Sequence, residues 1–235
     1  MFFYYFDRYY WILIVPAMIF ALWAQSRVSS TYGKYSRVMS ARGMSAADVC
    51  RKILDENGLY HIRIERVAGN LTDHYDPRAG VIRLSDSVFN SASVASIGVA
   101  AHEAGHAVQY AEGYVPIKIR NAIIPISQFG SSLSMPVLLI GLLFNSVYMI
   151  VDGVFIGNRL GRDAMAVAAV SVPVEFDASA KALRTLDNFQ ILEPQETKMA
   201  GKVLKAAALT YVAALLSSLA QLLRLVLLYG RRNND

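Results

Sequence analysis

Residues Ala100–Ala107 contain a His-Glu-x-x-His motif, in which His102 and His106 are four positions apart. Four residues are about one turn of an α-helix, roughly 6 Å along its axis, so both side chains project from one helix face. Two imidazole nitrogens in this arrangement can bind a single Zn²⁺ at about 2.0–2.1 Å. Glu103, the next residue, lies beside such a metal and can hold a water there. The motif therefore predicts a helix that carries a zinc site and a carboxylate base.

The residues around the motif are small or apolar, which is typical of a buried helix. They are Val94, Ile97, Gly98, Ala100, Ala101 and Ala104. A chance match on an ordinary core helix is the alternative interpretation. Because the chain has only 4 histidines, a pair at this spacing with a glutamate beside it favours the metal site.

The composition indicates a membrane protein rather than a soluble one. Hydrophobic residues make up 54% of the 235 residues and charged residues only 17%, whereas soluble domains are about 25% charged. The net charge is +5, but no basic stripe with interleaved aromatic residues is present, so no nucleic-acid partner is expected. We expect the lipid bilayer to be a partner instead. The single cysteine, Cys50, excludes an intrachain disulfide framework and a cysteine-based zinc site.

The N-terminal segment Met1–Gln25 is aromatic and aliphatic and is about long enough to span a bilayer. A cleaved signal peptide is the alternative, but the segment lacks a basic start and a small-x-small cleavage site, which favours an uncleaved anchor. Further membrane segments are expected at Met135–Ile150 and Val203–Tyr229. The basic residues after the first segment are Arg27, Lys34, Arg37 and Arg42. By the positive-inside rule they predict a multi-pass cell-membrane protein with a cytoplasmic catalytic region.

Local signals predict a compact region between the first two membrane segments. Ser45 is expected to cap a helix that ends at Gly58, and His61–Val67 alternates like a strand. A second strand, Val81–Leu84, follows a turn, and we expect an extended substrate to pair with it as an added strand. The helix with the zinc motif is expected to begin after Ser91 or Ser93 and to run to about Glu112.

A catalytic zinc usually takes three protein ligands, so a third is expected. His61 lies in the alternating strand and fits an ordinary strand residue better than a ligand. His74 lies in a polar cluster near a turn, where it can stabilise the turn or enter the site as a hydrogen-bond donor. Glu175 follows an apolar run at the predicted start of a helix, where an unpartnered charge is costly. A carboxylate favoured by the helix macrodipole is the alternative for Glu175.

Three separated motifs, in this order along the chain, resemble the bacterial membrane-bound neutral zinc metallopeptidases. They are Leu71–Pro77, Ala101–His106 and Pro173–Ser179, and the resemblance covers most of residues 1–144 and 173–229. It implies a zinc cofactor and a peptide or protein substrate, which could itself be a membrane protein.

The Glu-Phe-x-Ala element at Glu175 is also similar to that of the heat-shock membrane proteases and the CAAX prenyl proteases. In those relatives the glutamate is the third zinc ligand, and this resemblance assigns Glu175 the same role. They carry an aspartate four residues later, but Ser179 occupies that position here. The supporting role of that aspartate therefore cannot be transferred. Asp177 and His74 are expected to support the ligands or to contact the substrate.

Residues 147–174 depart from this resemblance. This segment is locally similar to part of the multidrug and toxin extrusion transporters, and charged residues such as Asp152, Arg162 and Asp163 interrupt its apolar pattern. A fragment of this length cannot build a transporter fold. A transporter fragment is therefore the least favoured function.

Together these observations predict a mainly α fold with a small β-sheet: a membrane-anchored, zincin-like metalloprotease with about three to four transmembrane or membrane-associated helices. The expected function is that of a zinc endopeptidase in which Glu103 is the general base. The alternative is a non-catalytic membrane interaction protein with a structural metal site. The expected regions are an N-terminal anchor over 1–26, a catalytic region over 27–122, an irregular membrane hairpin over 123–174, a third-ligand helix over 175–202, and a C-terminal membrane helix and tail over 203–235.

Overall fold

A computed structural model describes residues 7–125 and 147–230 together with residues 128, 136 and 140. Most of the expected membrane segment Met135–Ile150 therefore lies outside the described residues. The chain divides into two compact units. The first comprises Met1–Trp23, Lys118–Val172 and Thr210–Asp235, and the second comprises Ala24–Ile117 and Pro173–Leu209.

The fold is mostly helical and has one small sheet, as predicted. A π-helical turn, Tyr10–Ile14, leads into the first α-helix, and residues 115–125 are also helical. The helices are α1 (Val15–Tyr35), α2 (Ala46–Glu56), α3 (Val94–Ala111), α4 (Val147–Asn188) and α5 (Pro194–Gly230). The strands are β1 (Arg63–Val67), β2 (His74–Asp76) and β3 (Val81–Ser85).

Within the described residues, two helical stretches are long and apolar enough to cross a membrane, Tyr10–Tyr35 and Pro194–Leu228. Both lie partly in the first unit, where Asp7 caps the start of the first stretch by accepting hydrogen bonds from the backbone of Tyr9 and Tyr10. The Asp7 carboxylate also pairs with Arg224, whose Nη2 lies 2.7 Å from Oδ2. The charge of Arg224 therefore has an opposite charge beside it, as ionisable groups in apolar helices require.

The expected helix start at Glu175 is wrong. Helix α4 is continuous from Val147 to Asn188 and passes through Pro173, so Glu175 lies well inside it. Proline in a helix interior costs about 3 kcal/mol because it removes a hydrogen bond and crowds the preceding turn. Strong helix formers on both sides of Pro173, alanine above all, offset this local cost. The start of the proposed region 175–202 therefore falls inside α4.

The sheet lies in the second unit and has the strand order β1-β3-β2. β1 pairs in parallel with β3, and β2 pairs antiparallel with β3, with Tyr75 opposite Ile82. The predicted strands at β1 and β3 are confirmed, whereas the three-residue β2 was not predicted because it is too short to show alternation. The expectation that Val81–Leu84 accepts a substrate strand is wrong, since β3 is central and has a partner strand on each side.

The local signals for α2 and α3 are confirmed. The Ser45 hydroxyl accepts a hydrogen bond from the Asp48 backbone, and the Ser93 hydroxyl accepts one from the Ser96 backbone. Gly58 follows the end of α2 with a φ of +71°, which glycine adopts without strain. The core of the second unit lies between α2, α3, the sheet, α4 and the start of α5. Its largest fully buried side chains include Ile53, Leu54, Ile82, Leu84, Ile97 and Leu186.

A buried carboxylate secures the start of α5. Glu196 accepts hydrogen bonds from the backbone of Glu193 at 2.9 Å and of Ala41 at 2.8 Å. The first contact is the return bond of a capping box, in which the residue at the third helical position bonds the backbone N–H of the cap. The second ties the loop after α1 to this helix.

Candidate metal centre

Small residues on α3 let α4 approach its backbone closely. Gly105 lies between the two histidines of the motif, and a Cβ atom built there would meet the Ala178 carbonyl oxygen at 2.6 Å. That distance is too short for any side chain, so only glycine permits this helix contact. On the α4 side, Val174, Ala178 and Ala182 are four residues apart and buried. The two helices therefore meet along a seam of small side chains.

Glu175, the residue after Val174, is directed from α4 towards the histidines of α3. Its Oε2 lies 3.1 Å from His102 Nε2 and 3.3 Å from His106 Nε2. Glu175 is only 3% exposed. The structure thus brings together the three side chains named as ligands from the sequence, and one ligand atom from each lies within 4.8 Å of the others.

The spacing of these atoms suits a tetrahedral metal ion. Four ligands at about 2.0–2.1 Å from Zn²⁺ lie about 3.3 Å from one another, which matches both distances from Glu175. Two imidazoles and a carboxylate are also the ligand types that a catalytic zinc commonly takes. Among the described residues no other acidic, histidine or cysteine side chain joins this group. A fourth position would therefore remain for water or substrate.

Each histidine is held through its other ring nitrogen. His106 Nδ1 lies 2.9 Å from Gln109 Oε1, and His102 Nδ1 lies 3.1 Å from Ser179 Oγ. Both Nε2 atoms consequently face Glu175. Such contacts fix the ring orientation and increase the basicity of a metal-binding histidine.

The electrostatics of the group favour a cation. Burial by itself would raise the pKa of Glu175, but hydrogen bonds and charge from both histidines outweigh it and hold the pKa far below its usual range. Burial would also lower the pKa of His106, yet the hydrogen bond with Glu175 and the charges of Glu103 and Glu175 raise it instead. A buried carboxylate that keeps its charge is suited to binding a divalent ion, which would take the place of the protons between Glu175 and the two histidines.

Glu103 is oriented by the sheet. Its Oε2 accepts a hydrogen bond from the Tyr75 backbone N–H at 3.0 Å, so the carboxylate lies against strand β2. His74, the preceding residue, is exposed, and its ring contacts the Thr72 carbonyl and Arg83. The structure therefore connects the Leu71–Pro77 motif to Glu103 through the backbone of Tyr75, and it does not bring the His74 side chain into the ligand group.

Asp177 lies on the same helix as Glu175 but has different partners. Its Oδ2 accepts a hydrogen bond from Gln109 Nε2 at 2.8 Å and lies 3.3 Å from Lys181 Nζ. Asp177 thus contacts Gln109, whose other end contacts His106, and its supporting role stays a prediction. His61 is exposed next to β1 and is not part of the ligand group.

Sequence reasoning missed Gln109 and Tyr75, and it assigned no role to Ser179. A helical signal for Gln109 was available, because it is three residues after His106 and shares its helix face. Ser179 is likewise one turn after Glu175. The role of Tyr75 rests on its backbone, which no side-chain motif could indicate.

Two comparisons with known proteins match nearly the whole chain. Residues 10–230 match the family described as "putative neutral zinc metallopeptidase". A Bacillus subtilis (strain 168) protein named "putative membrane protease YugP" is 40% identical over 224 residues, which cover 94% of this chain and 98% of that protein. No solved structure matches the chain. The family match includes residues 147–174, the segment with local similarity to transporters. The chain belongs to the neutral zinc metallopeptidase family, and the zinc that this family implies suits the group formed by His102, His106 and Glu175.

Proposed function

We propose that the protein is a membrane-bound zinc endopeptidase in which His102, His106 and Glu175 bind the metal. The observation that carries this proposal is the Glu175 carboxylate oxygen at 3.1 Å and 3.3 Å from the Nε2 atoms of His102 and His106, with a second carboxylate, Glu103, one residue from the first ligand. When bound, zinc supplies a Lewis acid that polarises the scissile carbonyl and makes the attacking water more acidic. A purely structural zinc site is usually closed by four protein ligands, whereas only three are grouped among the described residues.

Glu103 performs the proton transfer in this proposal. Its carboxylate accepts the proton of the attacking water and later delivers it to the amine of the leaving peptide. The Tyr75 N–H bond holds one carboxylate oxygen in place, which leaves the other oxygen for the proton. This support lowers the number of orientations that the side chain can adopt before reaction.

An extended substrate is proposed to run along β2. β2 is an edge strand of the sheet, and Tyr75, at its centre, directs its backbone N–H to Glu103 rather than to β3. A peptide beside this edge would pass next to the proton-transfer residue. Because Glu103 engages the Tyr75 N–H, main-chain pairing with the peptide would use the Tyr75 carbonyl on the same edge, and such pairing depends little on the side chains of the peptide.

The substitution Glu103→Gln tests the proposal. Full-length protein and the variant are expressed in cells, and new protein N-termini in the membrane fraction are measured by mass spectrometry. We expect cleavage products with the unchanged protein and none with Glu103→Gln, while both purified proteins bind about one zinc per chain. Removal of an essential base typically costs about 10²–10⁴-fold in rate.

The matched control is Glu56→Gln, which removes an exposed glutamate at the end of α2. This variant should give the same products as the unchanged protein. Equal cleavage by Glu103→Gln and the unchanged protein would refute the proposed role of Glu103. Zinc binding without any cleavage product in either would support a non-catalytic metal protein.

A further inference from the structure

Gln109 is a fully buried polar side chain on α3, one turn after His106. Its Oε1 accepts a hydrogen bond from His106 Nδ1 at 2.9 Å. Its Nε2 donates to the Val174 carbonyl at 2.8 Å and to Asp177 Oδ2 at 2.8 Å, both on α4. A buried amide with three partners has its polar groups satisfied, which a side chain with no solvent exposure requires.

These three bonds determine the direction of the amide. The two partners on α4 are acceptors, so they select the NH₂ end of Gln109. The oxygen end must then face His106, and His106 must carry its proton on Nδ1. In the neutral histidine that binds a metal, the lone pair is then on Nε2, the atom that faces Glu175 and the proposed metal position. Through Gln109, the acceptors on α4 thereby determine which ring nitrogen of His106 carries the proton.

Asp177 is itself held by charge. Lys181 Nζ lies 3.3 Å from Asp177 Oδ2 and 3.1 Å from Glu112 Oε2. Because Glu112 follows the end of α3 while Asp177 and Lys181 lie on α4, this series of charges links the two helices beside Gln109. It keeps an acceptor in front of the Gln109 amide and so prevents the amide from reversing.

We propose that Gln109 is a positioning residue that fixes the ring orientation and proton of His106 for zinc binding, and that Asp177 fixes the orientation of Gln109. The inference rests on the proposed zinc site. The Ser179 contact to His102 is weaker in this respect, because a hydroxyl can donate or accept and therefore does not select a histidine form. Loss of Gln109 should thus affect zinc binding more than loss of Ser179.

Zinc affinity of purified full-length protein in detergent, measured by competition with a chelator, tests the inference. Gln109→Met keeps the volume of the side chain but has neither a strong acceptor nor a donor. We expect its affinity to fall about 10–100-fold, the usual effect of removing a group that orients a ligand. The absorption spectrum of the Co²⁺-loaded protein should change as well, since it reports ligand geometry. Ser179→Ala should show a smaller loss of affinity.

An exchange of the two polar groups provides the sharper test. Gln109→Glu keeps an acceptor for His106 but sets two carboxylates against each other, so we expect weaker zinc binding. Adding Asp177→Asn gives the introduced carboxylate an amide donor and restores the net charge of the original pair. The double variant should recover most of the lost affinity. The Val174 carbonyl lacks its donor in both variants, so the gain between them reports the contact at position 177 alone.

The control is Glu196→Gln, which alters another buried polar group with bonds to the backbone of Ala41 and Glu193. It should lower the melting temperature of zinc-free protein and leave zinc affinity unchanged. Gln109→Met with unchanged affinity would overturn the inference, and so would a double variant no tighter than Gln109→Glu. If Gln109→Met does not fold, the exchange pair decides. An unmodified protein without zinc affinity would instead overturn the proposed function itself.

Discussion

At the scale of single residues, two carboxylates on α4 are candidates for the third metal ligand. Glu175 and Asp177 are two positions apart, about 200° around the helix axis, so they cannot face the same point. The structure places Glu175 against both histidines and Asp177 against Gln109 and Lys181. Of these two carboxylates, only Glu175 therefore lies against both histidines, whereas Asp177 contacts Gln109.

This division of roles predicts different effects of matched substitutions. Glu175→Gln keeps the shape of the side chain but removes its charge, and it should lose most of the zinc and all hydrolysis. Asp177→Asn should retain zinc with an affinity lowered by less than about 10-fold, since its amide oxygen can still accept the bond from Gln109 and only the charge beside Lys181 is lost. Elemental analysis after dialysis against a weak chelator measures both. The reverse pattern, with zinc lost by Asp177→Asn and kept by Glu175→Gln, would contradict the ligand assignment.

At the scale of secondary-structure elements, the site depends on how closely α3 and α4 pack. Glu175 reaches the histidines because no side chain stands between the helices at Gly105. The histidines are presented by one helix, and the third ligand is presented by the other. Any change in the spacing of these two helices should therefore alter the distances between ligand atoms.

Gly105→Ala should disturb that spacing. Its Cβ would lie 2.6 Å from the Ala178 carbonyl oxygen, which is backbone and cannot rotate away. We expect a destabilisation of about 1–3 kcal/mol, typical of overpacking, together with weaker zinc binding. Gly33→Ala in α1 is the control, because a Cβ there meets no atom within 4 Å and should be neutral or slightly stabilising. Thermal unfolding and zinc competition measure the two effects, and equal behaviour of both variants would refute the argument.

At the scale of the whole molecule, two of the described helical stretches are long and apolar enough to cross a membrane. Each of them has residues in both compact units. The Bacillus subtilis protein named as a membrane protease is similar over nearly the entire chain. Both findings support membrane association. The orientation is a proposal that rests on the basic residues after the first helix, which favour a cytoplasmic position for the catalytic region.

Cysteine labelling tests this orientation. Tyr60 is 73% exposed in the second unit, and Tyr60→Cys leaves the charge pattern unchanged. The native Cys50 is buried, and burial raises the pKa of its thiol, so it should not react in the folded protein. An impermeant maleimide should label Tyr60→Cys only after the cells are permeabilised. Labelling in intact cells would place the catalytic region outside, and the protein without the new cysteine serves as background.

Elements with local signals could be predicted from the amino-acid sequence. The capped starts of α2 and α3, the glycine after α2, and the one-turn spacing of His102 and His106 all depend on residues within a few positions of one another. Neighbouring backbone groups are satisfied there by nearby side chains, so the pattern suffices. For Glu175, its position after an apolar run favoured the role of third ligand, and the family resemblance then assigned that role.

The contacts that orient Glu103 and Gln109 join residues far apart in the sequence, and only the tertiary structure revealed them. Gln109 contacts Val174 and Asp177, and Tyr75 contacts Glu103, through pairs that are 28 to 68 positions apart in the chain. No local preference specifies such pairs, because they depend on the packing of whole elements. The same reason explains the two predictions that were wrong, the helix start at Glu175 and the pairing of a substrate with Val81–Leu84. The continuity of α4 through Pro173 and the central place of β3 in the sheet are set by neighbouring elements that a local reading of the sequence does not contain.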